Sequence, residues 1–132
     1  MSVVAAHGQF WRGRRVLVTG AYGFLAGHVI EALLEAGAEI TGIVRDRPAT
    51  SYLQIAELDE RITLAPGDIT CLGDCLRVVN DHDCTVVFHL AAQAIVGAAN
   101  RSPLPTFTTN IMGTCNVLEA CRQLNASDRS CL

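Results

Sequence analysis

The feature that most constrains this chain is a glycine-rich turn between an apolar run and a helical pattern, within residues 15–27. The run Val16–Thr19 predicts a short buried strand, and the helical pattern after the turn continues to about Gly37. Strand, glycine turn and helix in this order form the unit that grips the phosphates of a dinucleotide. Gly20 permits the tight turn, Gly23 lets the backbone approach a pyrophosphate, and the first amides of the helix face the phosphate charge. A βα turn without a ligand is the alternative interpretation.

Strand-like and helix-like segments alternate along the rest of the chain. We predict strands at about 15–19, 39–44, 61–65 and 84–89, and helices at about 23–36, 51–58, 71–81 and 104–123. This alternation predicts an α/β fold, a doubly wound parallel sheet with helices on both faces. In the strand order 3-2-1-4, a crevice opens between the carboxyl ends of strands one and four, where this class of fold binds ligands.

The length and the net charge of the chain limit the kinds of partner that it can bind. The 132 residues suit one domain, and we divide them into an N-terminal arm (1–12), a dinucleotide-binding domain (13–124) and an atypical tail (125–132). The net charge is −3, and the basic residues cluster only at Arg12, Arg14 and Arg15, which argues against nucleic acid as a partner. The longest uncharged stretch is too short and too mixed to span a membrane.

The cysteines and the first residues of the chain bear on the cellular compartment in which it is found. The six cysteines form no Cys-x-x-Cys pair and have no histidine at metal-ligand spacing, so we predict reduced thiols and no metal site. The first residues show no pattern of a signal peptide. A cytoplasmic location follows as the expectation.

Four motifs, in order, resemble the extended short-chain dehydrogenase/reductase family, in particular its nucleotide-sugar epimerases and 4,6-dehydratases. They are Thr19-Gly20-Ala21-Tyr22-Gly23-Phe24-Leu25, Gly67-Asp68-Ile69, His89-Leu90-Ala91-Ala92-Gln93, and Thr109-Asn110-Ile111-Met112-Gly113-Thr114 with Leu118-Glu119-Ala120. The residues before strand one are similar to CDP-glucose 4,6-dehydratases, and those from Gly42 to Arg45 to GDP-mannose 4,6-dehydratases. The resemblance covers about 10–124. It implies a Rossmann-type, NAD(P)-binding domain that stops after about four strands.

The resemblance also implies a set of cofactor-binding residues. They are Gly20, Tyr22, Gly23, Phe24, Leu25, Arg45, Asp68, Ile69, Leu90, Ala91, Ala92 and Gln93. Asp68 either accepts a hydrogen bond from the adenine amino group, with Ile69 against the ring, or is a simple turn residue. The small residues after strand four either let the backbone lie against the dinucleotide or serve helix packing. Gln93 is expected to reach the nicotinamide ribose or the substrate, and Asn110 is either a partner of backbone groups or a buried amide.

Arg45 bears on the choice between NAD and NADP. NAD enzymes usually place Asp or Glu at the end of strand two, for the ribose 2′-hydroxyl. Here the strand ends in Val44-Arg45-Asp46-Arg47. A guanidinium at this point can pair with a 2′-phosphate, which favours NADP slightly, whereas Asp46 could serve a free hydroxyl. A solvated charged loop is the third interpretation.

The sequence contains no candidate for catalysis. In the resembled family a Tyr-x-x-x-Lys pair moves the proton of the sugar 4-hydroxyl while hydride passes to the nicotinamide. This chain has no lysine, and its tyrosines are Tyr22 and Tyr52. We therefore expect the cofactor-binding portion of a nucleotide-sugar dehydratase or epimerase, with the sugar nucleotide bound only in a complete protein. A non-catalytic dinucleotide-binding or regulatory module and an interaction fragment are the alternatives. An exposed edge at strand four further predicts a homo-oligomer.

Overall fold

A computed structural model describes residues 7–93 and 96–125 of the chain. The first half of the predicted arm and the predicted tail beyond Asn125 lie outside these residues. In chain order the elements are α1 (Gly8–Trp11), β1 (Arg15–Thr19), α2 (Phe24–Glu35), β2 (Glu39–Val44), α3 (Tyr52–Ile55), β3 (Thr63–Pro66), α4 (Leu72–Asp81), β4 (Val86–His89), α5 (Val96–Arg101), α6 (Pro103–Phe107) and α7 (Gly113–Asn125). A π-helical segment, Thr108–Met112, joins α6 to α7. These three pieces run on without a break and are called the long helix below.

The four strands form one parallel sheet in the order β3-β2-β1-β4, as predicted. Val16 lies between Ile40 of β2 and Val86 of β4. Thr19 lies beside His89 in the same register, so the carboxyl ends of β1 and β4 meet at one edge of the sheet. This edge contains the point at which the direction of winding changes, because the chain winds outward from β1 to β2 and β3 on one side and returns to β4 on the other.

Apolar side chains cover both faces of the sheet, because β1 is apolar at every position from Val16 to Val18. Val16 and Val18 pack in one cluster with Ile30 of α2 and Leu53 of α3. Leu17 points to the opposite face and packs in a second cluster with residues of α4 and the long helix. This two-sided burial is typical of parallel sheets, whose strands are uninterrupted apolar runs.

Several predicted bounds differ from the observed ones for local reasons. The helix predicted at 51–58 ends at Ile55, and the chain then takes a positive φ of 55° at Glu57. A 3-10 turn at Asp59–Arg61 delays β3 to Thr63. The helix predicted at 104–123 begins one residue earlier and continues to Asn125.

Two short helices were not predicted. One of them, α5, lies just before the long helix. The other, α1, lies in the predicted arm, and its Trp11 packs against Phe88 of β4 with ring centroids 5.9 Å apart. Within residues 7–93 and 96–125, no helix combines the length and the hydropathy that crossing a bilayer requires.

Candidate functional site

The turn after β1 brings two segments of backbone into contact. Gly20 has a φ of +69°, which L side chains rarely adopt. A Cβ atom built on Gly20 would lie 2.9 Å from both the N and the Cα of Ala91, a separation that real Cβ atoms do not show. Only glycine meets both conditions. The turn therefore touches the loop after β4, and both line the same cleft.

The same turn leaves the start of α2 without a side-chain cap. Gly23 is the N-cap residue, its backbone is extended, and no side chain makes a cap hydrogen bond there. A Cβ atom on Gly23 would meet only the carbonyl oxygen of Gly20 within 4 Å, at 3.1 Å. The residues Gly23 to Leu25 are exposed. The first amides of α2 can thus bind an anion, which the positive end of the helix dipole favours.

A charged cluster follows β2 at the same edge of the sheet. The Nε of Arg45 donates to Oδ2 of Asp46 at 2.7 Å, and its Nη1 lies 4.0 Å from Oδ2 of Asp68. The hydrogen bond to Asp46 is the main cause that raises the pKa of Arg45. Arg45 is 64% exposed, so solvent screens these pairs strongly. Arg45 thus places a positive charge in the cleft, and the carboxylates of Asp46 and Asp68 both interact with that charge.

The two carboxylate oxygens of Asp68 have different partners. Its Oδ1 accepts hydrogen bonds from the backbone N–H of Thr70 at 2.9 Å and from the Thr70 hydroxyl at 2.8 Å. Burial is the largest single influence and raises the pKa of Asp68. The hydrogen bonds of Thr70 and the charge of Arg45 together outweigh it, so the pKa is lowered. Asp68 thus has the role of a turn residue, and within residues 7–93 and 96–125 the contact of its Oδ2 is the longer one with Arg45.

The long helix packs against Ile69 and forms a hydrogen bond with its backbone. Nδ2 of Asn116 donates to the carbonyl oxygen of Ile69 at 2.9 Å. A Cβ atom on Gly113 would lie 2.7 Å from Cδ1 of Ile69, so the glycine permits close packing. Ile69 is 7% exposed, and its side chain is therefore mainly a packing group with a small face toward the cleft.

A hydrogen-bond network joins the ends of β1 and β4 to the long helix. Oγ1 of Thr19 lies 2.7 Å from Nδ1 of His89, and Nε2 of His89 lies 2.9 Å from Oγ1 of Thr114. Oγ1 of Thr19 also accepts the amide hydrogens of Leu90 and Ala91, both at 3.0 Å. Burial lowers the pKa of His89. The network holds the first two residues of the loop against β1.

Asn110 holds the far end of that loop. Its Oδ1 accepts from the backbone N–H of Gln93 at 2.7 Å, and its Nδ2 donates to the Gln93 carbonyl oxygen at 3.3 Å. Of the two roles predicted for Asn110, it is therefore the partner of backbone groups. Asn110 lies in the π-helical segment, a type of irregularity that is frequent at functional sites.

These segments line a cleft of about 500 Å³ at the carboxyl edge of the sheet. That volume is within the range of small-molecule sites. The structure brings ten of the twelve predicted residues to this cleft: Gly20, Tyr22, Gly23, Arg45, Asp68, Ile69, Leu90, Ala91, Ala92 and Gln93. The other two, Phe24 and Leu25, do not line it, and their side chains are 78% and 61% exposed. Any contribution from these two comes through their backbone amides.

Other lining residues were not among the predicted set. They are Ala21, Ile43, Val44, Asp46, Gly67, Pro105 and Thr109. Most are sequence neighbours of predicted residues, so wider motif windows would have included them. Pro105 and Thr109 come from the long helix; Thr109 begins the fourth family motif, whereas no local signal marks Pro105. Among the described residues, no three His, Cys, Asp or Glu side chains come together in a way that could hold a metal ion.

Comparison with known proteins decides the family. The model of the NAD dependent epimerase/dehydratase family matches residues 16–130. This chain belongs to that family. This match confirms the resemblance that the four motifs predicted, and the strand order of the sheet agrees with the predicted Rossmann-type fold.

Members of the epimerase/dehydratase family with different substrates are similar to this chain. The CDP-glucose 4,6-dehydratase of Salmonella typhimurium is 34% identical over 117 residues, which are 88% of this chain and 33% of the relative. A UDP-glucose 4-epimerase of Klebsiella pneumoniae is 30% identical over 113 residues, with 82% of this chain and 80% of the relative covered.

Solved structures of the family have the same fold. The UDP-glucose 4-epimerase of Thermus thermophilus, in complex with NAD, matches with a TM-score of 0.73 and 34% identity, over 84% of this chain and 34% of that chain. The chain thus spans about a third of the length of the Salmonella and Thermus proteins.

Proposed function

We propose that this chain binds a nicotinamide dinucleotide across the carboxyl edge of its sheet, as the cofactor-binding portion of a nucleotide-sugar epimerase or 4,6-dehydratase. The observation that carries the proposal is the contact between Gly20 and the backbone of Ala91. It places the uncapped start of α2 and the loop after β4 around one cleft. This is the position at which doubly wound folds bind dinucleotides.

Each part of the cleft has a role in this proposal. The turn from Gly20 to Gly23 and the first amides of α2 hold the pyrophosphate. Oδ2 of Asp68 accepts from the adenine amino group, beside the small exposed face of Ile69. The backbone from Leu90 to Ala92 lies against the nicotinamide half, and Gln93 reaches its ribose. In a complete protein, the bound nicotinamide supplies the hydride acceptor for carbon four of the sugar.

For the choice of dinucleotide, we propose that NADP binds better than NAD. Arg45 lines the cleft just after β2, where the 2′ substituent of the adenosine ribose is held in this class of fold. Its guanidinium can accept a 2′-phosphate as a further partner. Asp46, whose carboxylate lies 2.7 Å from Arg45, also lines the cleft and would favour NAD.

The chemistry on the sugar is assigned to a complete protein. The 132 residues contain no lysine and no Tyr-x-x-x-Lys pair. We therefore expect no 4-keto product when the purified chain is incubated with cofactor and CDP-, GDP-, UDP- or dTDP-hexoses. Turnover by pure protein would overturn this part of the proposal.

We also propose that two copies of the chain associate. β4 is an edge strand of the sheet in the described part of the chain. The long helix also carries exposed apolar side chains, at Leu104, Phe107, Ile111, Met112 and Leu118. An exposed apolar surface of this kind is suited to contact with a second copy of the chain. A cytoplasmic location is a further proposal, supported by the reduced thiols of Cys71, Cys75 and Cys115 among the described residues.

The substitution Gly23→Val tests the proposed site. A branched side chain at Gly23 would block the approach of a pyrophosphate. The extended backbone of Gly23 accepts valine, and the added Cβ requires the Gly20 carbonyl oxygen, at 3.1 Å, to shift by a few tenths of an ångström. Calorimetric titration with NAD and NADP should show binding to the parent chain and none to the variant. Gly73→Val is the matched control, because Gly73 lies in α4, where only Cys71 is near the added atom. Equal binding by parent and Gly23→Val would contradict the proposal.

A further inference from the structure

The hydrogen bonds around His89 determine which ring nitrogen carries a proton. The Thr114 hydroxyl donates to the carbonyl oxygen of Asn110 at 2.7 Å, so its oxygen accepts from Nε2–H of His89. Nδ1 of the neutral ring is then an acceptor, and it receives the hydroxyl hydrogen of Thr19. Both lone pairs of the Thr19 oxygen are used by the amides of Leu90 and Ala91. The ring of His89 and the hydroxyl of Thr19 are thus fully paired.

The network fixes the backbone that Gly20 contacts. Ala91 is one of the two amides that Thr19 holds, and Thr19 is the residue just before Gly20. A Cβ atom on Gly20 would come within 2.9 Å of Ala91, so the turn from Gly20 to Gly23, called the phosphate turn below, lies in close contact with the loop. A change at His89 is therefore transmitted through Thr19 to both sides of the cleft.

We propose that His89 is a positioning residue for the dinucleotide, which holds the cleft in its binding geometry only while the imidazole is neutral. The inference rests on the proposed function. A second proton would place Nδ1–H against the Thr19 oxygen. That oxygen would then face three donors with two lone pairs, and its own hydrogen would lose its acceptor. At least one loop amide must give up its bond, and the loop then shifts against the phosphate turn.

The surroundings of His89 set the range of pH in which this occurs. Thr19 of β1 and Thr114 of the long helix contact the ring, and neither titrates. Among the described residues, no charged group has a resolved influence on His89, and burial alone lowers its pKa from the ordinary value of 6.5. The folded chain thus stays neutral at His89 while the unfolded chain takes up a proton below that value. The stability from this network should therefore decline as the pH falls below 6.5, because the unfolded chain is protonated first. Dinucleotide binding should decline at a lower pH, where the imidazole of the folded chain takes up its proton.

The test is calorimetric titration of the full 132-residue chain with NAD, which has no titrating 2′-phosphate, from about pH 8 down to about pH 5. We expect the affinity of the parent chain to fall about threefold to tenfold on the acid side, the equivalent of one hydrogen bond. His89→Ala should weaken binding at every pH. His89→Asn should restore most of that loss and give a flat profile, because its Oδ1 can accept from Thr19 without titrating. His89→Gln should restore less, because its amide reaches toward Thr114 instead.

Controls separate this inference from the proposed function. His28→Gln should keep the acid decline, since His28 stacks on Tyr52 and is not part of the network. Circular dichroism and thermal melts at neutral pH should show that each variant is folded. Binding with no acid decline, or a decline that survives in His89→Asn, would overturn the inference alone. Absence of binding at every pH would overturn the proposed function and the inference with it.

Discussion

At the scale of single residues, two glycines with nearly the same backbone conformation have different neighbours. Gly13 and Gly20 have φ values of +71° and +69°. A Cβ atom on Gly13 would meet nothing within 4 Å, whereas one on Gly20 would collide with the backbone of Ala91. Substitutions at these two glycines therefore separate the energetic cost of a left-handed backbone conformation from the cost of a steric collision.

We expect Gly13→Ala to lower the free energy of unfolding by about 1–2 kcal/mol, the cost of a left-handed conformation. Gly20→Ala should lower it by about 1–3 kcal/mol more, because backbone atoms cannot move aside as a side chain can. Urea unfolding of both variants measures the difference. Equal losses would mean that the loop after β4 yields readily to the added atom.

Arg45 is the residue that tests the choice of dinucleotide. Arg45→Ala should weaken NADP binding by about 1–3 kcal/mol, the contribution of a charge-assisted hydrogen bond, and NAD binding by less. Calorimetry with both dinucleotides measures the two losses. Arg47→Ala is a matched control, because Arg47 pairs with Asp59 and does not line the cleft. An equal effect of Arg45→Ala on both dinucleotides would make Arg45 a solvated loop residue.

At the scale of elements, the long helix holds both loops that border the cleft. Asn110 bonds to Gln93 after β4, and Asn116 bonds to Ile69 after β3. Between them, Gly113 is buried and lets the helix approach Ile69. The long helix therefore holds the loops that border the cleft in position, in addition to packing on the sheet.

Gly113→Ala should show the closeness of this packing. The gain in helix propensity of about 1 kcal/mol is outweighed by an overpacking cost of about 1–3 kcal/mol against Ile69. In the background Ile69→Ala both colliding atoms, Cδ1 at 2.7 Å and Cγ1 at 2.9 Å, are absent, so the same substitution should cost less. Gly97→Ala on α5 is the control, because its nearest neighbour is the end of Arg101 at 4.0 Å, and it should not destabilise the chain. Additive losses in the double variant would show that Gly113 and Ile69 are not in tight contact.

At the scale of the whole molecule, the exposed apolar side chains of the long helix and the position of β4 at the sheet edge, in the described part of the chain, point to self-association. Phe107 and Leu118 are 58% and 63% exposed along this helix. Sedimentation at several concentrations should show a dimer or a larger species. Replacing both residues with Glu should shift the distribution toward monomer if the helix is the interface. Ile55→Glu, at an exposed apolar site on α3, should leave it unchanged. A parent chain that stays monomeric throughout would contradict the proposal.

Much of the molecule was determined by local sequence. The apolar run Val16–Val18, the glycines after it and the helical pattern to Gly37 predict β1, the turn and α2, since each depends on the period and the conformational range of adjacent residues. The alternation of elements predicted a parallel sheet, and the strand order is the one typical of the dinucleotide-binding folds that the glycine turn indicates. The family motifs then marked most residues of the cleft.

Only the tertiary structure decided which distant groups meet. The contact of Gly20 with Ala91, the bonds of His89 to Thr19 and Thr114, and the packing of Gly113 on Ile69 join segments far apart in the chain. Such contacts depend on helix-to-sheet distances to within tenths of an ångström, and the local pattern of apolar residues does not determine these distances. The sequence by itself thus determined the elements and their family. Packing decided that one helix and one neutral imidazole hold the cleft in shape.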